Sequence, residues 1–537
     1  MVLFSGCNPQ EAIEEGQRGE NIAEEEREDT PSIETEETIE ETIEVKLFID
    51  NQIPLSYRKI IRNTSKEIFD SVSMAETEDA ADVVLNLNKA TGEIPFSYVF
   101  VPVTDFFNVN DGIDWANFMR YWDGGESIGL DLAIEEDTLN MLEMFLGECR
   151  IDDLNIAEEE EIPGLLEDGD NFSIIPFNQL EKEHKVLAVD GMSVFDRELN
   201  TGDYPLAAGV AISGKDGMAD KLKSKLMAIP ITNRDPEKLL AINMTGVTAM
   251  VRGTANRMDK YGVLYPGEKI VDVLKDADIT HISNEIPFVE GCTGARDNDL
   301  VFCSKPEYIE LLRYVGTDVI ELTGNHMNDY GHEWMNYTLD MYDEEKWPYF
   351  GGGRNLEDSY KPAIFEKGPN KVAFLGCNFF GPEYDWATDE TPGSAPPNLE
   401  DFEQIISGYE QDGYNVIFTF QYVETYNYHP TEQQIIDFRR MLEAGASIVS
   451  GSQSHHPMGM EIREEGFINY GLGNLFFDQM RSLGMRQGII AKHIFYDNKH
   501  INTVLITTML EDYAQPRLTT EDERQQLLNS VFESSIR

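Results

Sequence analysis

The hydrophobic pattern divides the chain into a polar start and two long stretches in which strand-like and helix-like runs alternate. Between residues 45 and 232, VKLFID, DVVLNLN and FSYVFVPVT predict strands, whereas WANFMRYWDGG and DTLNMLEMFLG predict helices that end at glycines. After a polar, proline-containing link at about 233–240, ADITHIS, TDVIELTG, NVIFTFQYV and ASIVSGSQ resume the strand pattern. This alternation predicts an α/β fold with largely parallel sheets in both stretches.

The polar start and the overall charge limit the classes of molecule that the protein is expected to bind. Residues 8–44 are dominated by glutamate and threonine and contain no aromatic residue, so we interpret them as a solvated linker. The chain carries 42 Lys+Arg against 99 Asp+Glu, a formal net charge of -57. Such a field repels phosphate backbones, and no nucleic-acid partner is expected. No stretch of the sequence is apolar over the length that a membrane-spanning helix needs.

Three of the five cysteines suggest specific roles. Cys292 and Cys303 bracket the segment GCTGARDNDLVFC, and the sequence leaves open whether they form a disulfide in an oxidising compartment or remain two separate thiols. Cys7 follows Ser5 and Gly6, and this trio resembles the lipobox of bacterial lipoproteins, although no basic or long apolar leader precedes it. The resemblance implies lipid attachment at Cys7 and a membrane-anchored, extracytoplasmic protein.

The predicted strands of the C-terminal stretch end in clusters of polar residues. The segment ELTGNHMNDYG contains Asn325, His326 and Asp329, and the segment SNEIPF contains Glu285. In open α/β sheets, ligands bind beyond the carboxyl ends of the strands. An amide oxygen beside an imidazole suits a metal ion and an adjacent oxyanion. SNEIPF also contains Asn284, and the remaining clusters contribute Gln421, Glu424, Gln453, His455, His456, Glu461 and Asn474.

Taken in order from about Asn243 to Leu510, these clusters resemble the motif series of the CapA family of poly-γ-glutamate capsule proteins, a branch of the metallophosphatase-like superfamily. The resemblance implies a four-layer α/β sandwich over residues 240–512 and a site for two divalent metals. It also implies a role in capsule synthesis or export at the cell surface. The partners it implies are an anionic polymer or small-molecule ligand and other capsule-synthesis membrane proteins.

The chain departs from the family pattern at three ligand positions. Val247 stands where the family has its first aspartate, and Gln421 and Gln453 stand where it has histidines. Because two close dications need bridging negative charge, a two-metal centre is not expected, and one divalent metal (Mn, Zn or Fe) is the most the site predicts. The predicted metal ligands are Glu285, Asn325, His455, Gln453 and Gln421, and the predicted catalytic residues are His326, Asp329 and Glu424.

Each of these residues also has a plainer interpretation. His326 could cap the following helix, His455 could be a polar loop residue, Glu285 could be a structural hydrogen-bond acceptor, and Glu424 could be a solvated charge. The sequence therefore leaves two functions open. One is a degenerate metal-dependent hydrolase in capsule or poly-γ-glutamate biosynthesis. The other is a non-catalytic extracytoplasmic lipoprotein that binds its ligand with the N-terminal domain.

The segment 45–232 carries a second resemblance. VFVPVTDFFNVNDGIDWANFMRYWDG and YPLAAGVAI resemble type II periplasmic solute-binding proteins, which implies a two-lobed α/β domain with a ligand cleft. The alternative is a domain that only positions its neighbour. The predicted organisation is therefore a lipoprotein-like start and acidic linker at 1–44, this domain at 45–232, the CapA-like domain at 240–512 and a C-terminal tail at 513–537.

Overall fold

Strands and helices alternate through the N-terminal part of the fold, as the hydrophobic pattern predicts. The computed structural model describes residues 44–90, 96–167, 169–215, 217–229, 231–293 and 300–537, so the predicted lipid attachment at Cys7 and the linker up to residue 43 lie outside the described residues. In chain order the N-terminal elements are β1 (Glu44–Ile49), α1 (Leu55–Ile68), β2 (Ser71–Met74), β3 (Val83–Lys89), β4 (Phe96–Asp105), β5 (Gly112–Ile113), α2 (Trp115–Trp122), β6 (Asp131–Ile134), α3 (Glu136–Leu146), β7 (Asn155–Ile156), α4 (Ile162–Leu166), β8 (Asn171–Pro176), β9 (His184–Val186), β10 (Ala188–Val189), β11 (Ala207–Gly214), α5 (Met218–Leu226) and β12 (Ile231–Thr232).

These strands form a mixed sheet whose two halves share β4. The strand order is β2-β1-β3-β11-β4-β8-β6-β7, and β9 and β12 also pair with β4. Helices α1 and α5 pack together beside the first half, and α4 packs on β8 in the second. One long strand thus connects two α/β halves. A ligand cleft between those halves stays a prediction.

The C-terminal part continues the alternation and adds a long antiparallel ladder. In chain order its elements are β13 (Leu239–Met244), β14 (Val247–Thr248), α6 (Arg252–Tyr261), α7 (Val271–Lys275), β15 (Ile279–Asn284), α8 (Ile309–Tyr314), β16 (Val319–Glu321), α9 (His332–Glu345), β17 (Tyr349–Phe350), β18 (Gly352–Gly353), α10 (Leu356–Ser359), β19 (Ala363–Lys367), β20 (Asn370–Asn378), β21 (Gly393–Ser394), α11 (Leu399–Gln411), β22 (Asn415–Gln421), α12 (Glu432–Glu443), β23 (Ala446–Ser452), β24 (Met460–Arg463), β25 (Gly466–Asn469), β26 (Asn474–Phe476), α13 (Leu483–Arg486), β27 (Gln487–Tyr496), β28 (Lys499–Glu511), β29 (Gln515–Leu518) and α14 (Glu521–Glu533). Short 3-10 turns connect several of them.

Two sheets and three apolar layers make the C-terminal part a four-layer sandwich. The first sheet has the order β17-β16-β15-β13-β27-β28-β29, with β14 pairing to β15 and β26, and the second has the order β19-β20-β22-β23-β25-β24. Side chains of β13 and β16 meet those of β20 and β22 between the sheets. Helices α6, α8 and α9 cover the outer face of the first sheet, and α11 and α12 cover that of the second. The predicted four-layer α/β sandwich is confirmed.

The predicted link at 233–240 is a buried, hydrogen-bonded seam between the two parts. The Asn233 side chain accepts from the Val99 amide at 2.8 Å and donates to the Val99 carbonyl at 2.9 Å. Arg234 is buried and donates to the Val194 carbonyl at 2.6 Å, while the Tyr496 hydroxyl donates to the Asn233 carbonyl at 3.2 Å. Residues Glu44–Arg537 consequently form one compact unit.

The segment predicted as a C-terminal tail contributes to the core. β29 pairs with β28, and α14 begins at a capping box in which Thr520 and Glu523 exchange side-chain and backbone hydrogen bonds. Its apolar face, with Leu528 and Phe532, is buried between the two sheets. Within the described residues, no helix combines the length and the hydropathy needed to cross a membrane.

Candidate functional site

Polar residues from the carboxyl ends of parallel strands in both sheets meet in one crevice. Glu285 directly follows β15, Gln421 ends β22, and Gln453 directly follows β23. The hydroxyls of Ser283 and Ser452 lie 3.4 Å apart and join the two strand ends across the sheets. Because the carboxyl ends of parallel strands are where open α/β sheets bind ligands, this crevice is the candidate site.

His326 is held in the crevice by Asp329. The His326 Nδ1 lies 2.7 Å from Asp329 Oδ2, and the Phe302 amide donates to the same oxygen at 2.7 Å. Burial opposes protonation of His326, but the hydrogen bond to Asp329 and the charges of Glu285 and Asp385 outweigh it and raise the pKa of the imidazole. Asp329 therefore favours a proton on Nδ1 and orients the ring, with Nε2 as the nitrogen that can act on a ligand.

Glu285 is a buried carboxylate without full compensation. It is 2% exposed, and its Oε2 has no hydrogen-bond partner among the described residues. Burial raises the pKa of Glu285, while the positive charges of His326 and His455 and a hydrogen bond with Gln421 oppose that rise. An unpartnered buried carboxylate oxygen is rare in folded proteins, and this oxygen is available to a ligand, so the role of Glu285 as a metal ligand stays a prediction.

Three side-chain amides form a closed cluster beside Glu285. The Gln421 Nε2 donates to Asn325 Oδ1 at 3.0 Å and to Gln453 Oε1 at 2.5 Å. The carbonyl oxygens predicted to bind a metal at Asn325 and Gln453 therefore already accept hydrogen bonds from a neutral neighbour. Where the family pattern has histidines, the two glutamines thus form a neutral hydrogen-bonded network with Asn325, in which the Gln421 Oε1 is left without a partner among the described residues.

The loop after β23 places His455 in the crevice through a strained backbone. Gln453 has φ +73° and His455 has φ +29°, both in the left-handed region that residues other than glycine rarely adopt. The His455 Nδ1 lies 2.8 Å from Asn474 Oδ1, and its Nε2 lies 3.8 Å from Glu424 Oε1. Strain of this kind concentrates at functional sites, where the surrounding structure holds the residue in place.

Two other residues of the same loop region make structural contacts. His456 is buried beside the Pro457 carbonyl at 3.0 Å, and burial lowers the pKa of its imidazole. Glu461 pairs with Arg439 at 2.8 Å and accepts from the Tyr470 hydroxyl at 2.7 Å. Neither contact contributes a group to the crevice around Glu285.

Asp385 is a site residue that the sequence analysis missed. It is fully buried, its Oδ1 accepts from the Asn328 amide at 2.7 Å, and its Oδ2 has no partner in the described part of the chain. Burial raises the pKa of Asp385 to about 7, with the charge of Asp329 adding to the rise and the Asn328 amide and His326 opposing it. Asp385 lies in a loop between β20 and β21 rather than at a strand end, so no strand-end motif pointed to it.

The raised pKa of Asp385 predicts a pH-dependent difference in stability. Its folded pKa of about 7 exceeds the ordinary value of 3.8, so the stability it contributes is present below pH 3.8 and is lost as pH rises through 7. Asp385→Asn keeps an acceptor for the Asn328 amide, and we expect its stability relative to the wild type to increase by on the order of 4 kcal/mol between pH 4 and 8. Urea unfolding of both proteins across that range measures the difference, and a constant difference would contradict the prediction.

An apolar cluster occupies the position where the family has its first aspartate. Val247 is 1% exposed and packs with Ala249, Val251, Ile286, Phe302 and Phe477. The Phe302 ring lies 4.3 Å from the His326 ring, and the Phe477 ring lies 5.1 Å from the His455 ring. Aromatic side chains thus replace a charged ligand on this side of the crevice.

A basic cleft lies on the other side of these aromatic rings. The Arg252 guanidinium lies 4.9 Å from the Phe302 ring and 5.0 Å from the Phe477 ring. Together with Arg257 and Arg481 it lines a cleft of about 540 Å³. Arg252 pairs with Asp478 at 2.6 Å and Arg257 with Asp512 at 2.8 Å. Arg481 is exposed and has no ion-pair partner among the described residues, so the cleft keeps an excess of positive charge.

A disulfide holds the segment that carries Phe302 against the crevice. Cys292 and Cys303 are joined, with a Cα–Cα distance of 6.1 Å. The adjacent Phe302 donates its amide to Asp329 and packs its ring on His326. The disulfide therefore connects the stability of this segment to the orientation of the imidazole.

The residues of the crevice do not fit a two-metal centre, and one divalent cation stays a prediction. Val247 offers no ligand and the glutamines are engaged with each other, so a two-metal centre does not fit. The donor chemistry of Glu285, His326 and His455 suits one divalent cation, because the carboxylate has an unpartnered oxygen and Asp329 and Asn474 orient the imidazoles. In the described ranges, however, no three His, Cys, Asp or Glu side chains are grouped closely enough to hold a metal ion as they stand.

Comparison with known proteins points to one family. Residues 241–479 match the family described as bacterial capsule synthesis protein PGA_cap. Capsule biosynthesis protein CapA of Bacillus anthracis is 26% identical over 301 residues, which are 55% of this chain and 73% of that protein. PGA biosynthesis protein CapA of Bacillus subtilis (strain 168) is 28% identical over 199 residues, which are 37% of this chain and 52% of that protein.

Among solved structures, a novel phosphatase from Mycoplasma pneumoniae aligns at 11% identity and a TM-score of 0.34, covering 50% of this chain and 94% of that one. The family match includes the crevice residues from Glu285 to Asn474. The predicted resemblance to the CapA family is confirmed for residues 241–479, which match the bacterial capsule synthesis protein PGA_cap family and are similar to the two CapA proteins.

Proposed function

We propose that this protein takes part in the synthesis or export of an anionic capsule polymer of the poly-γ-glutamate type. The observation that carries the proposal is the overlap of the family match over residues 241–479 with the strand-end crevice around Glu285, His326 and His455. The two Bacillus relatives are named for capsule and PGA biosynthesis. The chain spans about half of the second relative, so its own activity remains a proposal.

The basic cleft beside the crevice supports an anionic polymer as the ligand, against the charge of the rest of the chain. The chain has a net charge of -57, so a polyanion is repelled by most of its surface. The cleft of Arg252, Arg257 and Arg481 is a local exception beside the crevice. A carboxylate-rich chain is therefore favoured only where it passes this cleft, and salt should weaken that attraction.

We propose that the crevice binds one divalent cation, held by Glu285, His326 and His455. When bound, the cation would supply Lewis-acid chemistry to a polymer carbonyl or phosphoryl oxygen. Asp329 holds the proton on Nδ1 of His326, so Nε2 is the nitrogen through which this imidazole would hold the cation. Glu424 is 45% exposed at the rim of the crevice and lies 3.8 Å from His455. It therefore positions the His455 imidazole and is not assigned a catalytic role of its own.

The proposed position of the protein is the outer face of the membrane, with Cys7 as the lipid attachment point. Two features support it: the lipobox-like Ser5-Gly6-Cys7 sequence and the Cys292–Cys303 disulfide, which suits an oxidising compartment. In that position the protein would be close to the other membrane proteins of capsule synthesis, which are its proposed partners.

One experiment with two readouts tests the proposal. Purified wild type, the His326→Ala/His455→Ala variant and the control His429→Ala, which changes an exposed histidine, are analysed for bound metal and titrated with a fluorescent γ-linked glutamate oligomer. We expect about one equivalent of transition metal in wild type and control and a loss in the double variant. We also expect saturable oligomer binding that weakens with salt.

Each readout can fail separately. Wild type without bound metal after loading with Mn²⁺ or Zn²⁺ would contradict the metal site and leave the polymer proposal standing. Absence of saturable binding of the γ-linked oligomer at low salt would contradict the polymer proposal. If an α-linked glutamate oligomer bound with equal affinity, the binding would be a non-specific attraction of polyanions, which would contradict recognition of the γ-linked polymer.

A further inference from the structure

A second cavity lies at the junction of the N-terminal and C-terminal parts, apart from the Glu285 crevice. It has a volume of about 330 Å³ and is bounded by β9 and β10 on one side and by β28 and α14 on the other. None of the described residues that line it belongs to the crevice. Small-molecule sites typically occupy about 300–1,000 Å³ and favour such junctions. The cavity therefore has the size and place of a ligand site.

One end of the cavity is apolar. Its wall includes Phe106, Val504, Leu528 and Phe532. Phe106 from the N-terminal part packs against Phe532 of α14 with ring centroids 6.3 Å apart, so this wall is shared between the two parts of the fold. An occupant with an apolar body would bury its surface here and stabilise the junction.

The other end presents two largely buried cations. The side chains of Lys185 and Arg524 are only 15% and 12% exposed. The Lys185 ammonium donates to the Asn108 carbonyl at 2.6 Å and pairs with Asp111 at 2.9 Å. Arg524 donates to the Val109 carbonyl at 2.6 Å and also pairs with Asp111. Two cations thus share one close carboxylate.

The acidic partners compensate this charge only in part. Asp111 is 55% exposed, and Glu521, the other acid near Arg524 at 4.0 Å, is 64% exposed, so water screens both. An ammonium carries three N–H donors and a guanidinium five, and the hydrogen bonds described occupy only some of them. Burial lowers the pKa of Lys185 to about 8, as expected of a cation that lacks a fully buried counter-charge. Donors at this end outnumber the buried acceptors.

We propose that this cavity binds a small amphipathic monocarboxylate. Its carboxylate contacts Lys185 and Arg524, and its short apolar body lies among Phe106, Leu528 and Phe532. Because the walls belong to both parts of the fold, the bound molecule acts as a bridge between the N-terminal part and the CapA-family part. This binding is independent of the metal and polymer proposed for the crevice.

Octanoate is the probe that tests this inference, in isothermal titration and thermal unfolding of the full chain. We expect saturable binding with one equivalent and a rise in Tm, which acetate (no apolar body) and octanamide (no charge) do not produce at equal concentration. Lys185→Met, which keeps the length of the side chain but removes its charge, should weaken octanoate binding about tenfold or more. Lys215→Met, at an exposed lysine outside the cavity, should leave it unchanged.

A second variant keeps the inference testable if Lys185→Met does not fold. Ala188→Phe introduces an aromatic ring at a residue that lines the cavity and retains both cations, so it should abolish octanoate binding. Each variant is first checked for a cooperative unfolding transition without ligand. Octanoate binding that persists in Ala188→Phe, or that octanamide reproduces, would overturn the inference, as would the absence of saturable octanoate binding to wild type.

Discussion

Replacing His281 with alanine is expected to lower the free energy of unfolding by about 3–5 kcal/mol. His281 in β15 and Glu321 in β16 are 1% and 3% exposed, and their Nε2 and Oε2 atoms lie 2.8 Å apart. The Thr245 amide donates to His281 Nδ1 at 3.3 Å, so the imidazole proton is on Nε2 and is donated to Glu321. The variant leaves a carboxylate buried between strands without this partner. The Thr323 hydroxyl is then the remaining donor to it among the described residues.

The double variant His281→Ala/Glu321→Leu separates the lost hydrogen bond from the lost volume. Removing both partners eliminates the stranded charge, so the double variant should be more stable than His281→Ala alone. Urea unfolding at pH 7 gives both values. If each substitution only left a cavity, the double variant would have a lower free energy of unfolding than His281→Ala, and that result would contradict this account. The exposed His429→Ala variant should match the wild type.

The same pair supports the candidate site. β15 and β16 are adjacent parallel strands, and Glu285 and His326 follow their carboxyl ends. A destabilised β15–β16 pairing should therefore weaken ligand binding in the crevice before the protein unfolds globally, because binding loops belong to the less stable part of a fold. Function and stability are connected at this position through two strands rather than through a direct contact.

Removing the disulfide is expected to cost about 3 kcal/mol. Cys292 and Cys303 are 11 residues apart, and closing a loop of that length restricts the unfolded chain by about this amount. The variant Cys292→Ser/Cys303→Ser should also loosen Phe302, whose amide donates to Asp329 and whose ring contacts His326. We therefore expect a lower Tm together with weaker binding in the crevice.

Reduction of the wild type provides an independent measurement of the same effect. A thiol reductant should lower the Tm of wild type to that of the double variant and leave the variant unchanged. Cys149→Ser, at a free cysteine outside the disulfide, serves as the control. A reductant that shifts wild type and double variant equally would show that the stabilisation does not come from this bond.

Much of the C-terminal architecture could be predicted because the apolar runs and polar strand ends that indicate it involve residues adjacent in sequence. Apolar runs such as ITHISN and NVIFTFQ are buried β strands, and the polar residue at each strand end lies in the crevice. Glu285, Gln421 and Gln453 were identified in this way. Asp385 and the basic cleft of Arg252 were not, because each lies in a loop or at a helix start whose neighbours in space are distant in sequence.

The N-terminal boundary and the C-terminus illustrate the limits of local reasoning. Asn233 and Arg234 are polar and precede a proline, which predicts a solvated link, yet they satisfy backbone groups of Val99 and Val194 inside the fold. Likewise, α14 is charged on one face, while Leu528 and Phe532 on the other are buried by both sheets. A polar residue is buried when its hydrogen bonds are satisfied, and only the assembled structure shows which partners are present.

The sequence by itself determined the α/β alternation, the family and the identity of the strand-end residues, because periodicity and motif order depend on neighbours along the chain. Tertiary structure alone decided how those residues are used. It joined Gln421 to Asn325 and Gln453 in a neutral network, left an oxygen of Glu285 without a partner, and placed Lys185 beside Arg524 at an apolar cavity. These properties depend on distance, burial and donor geometry between segments far apart in sequence, and no local pattern encodes them.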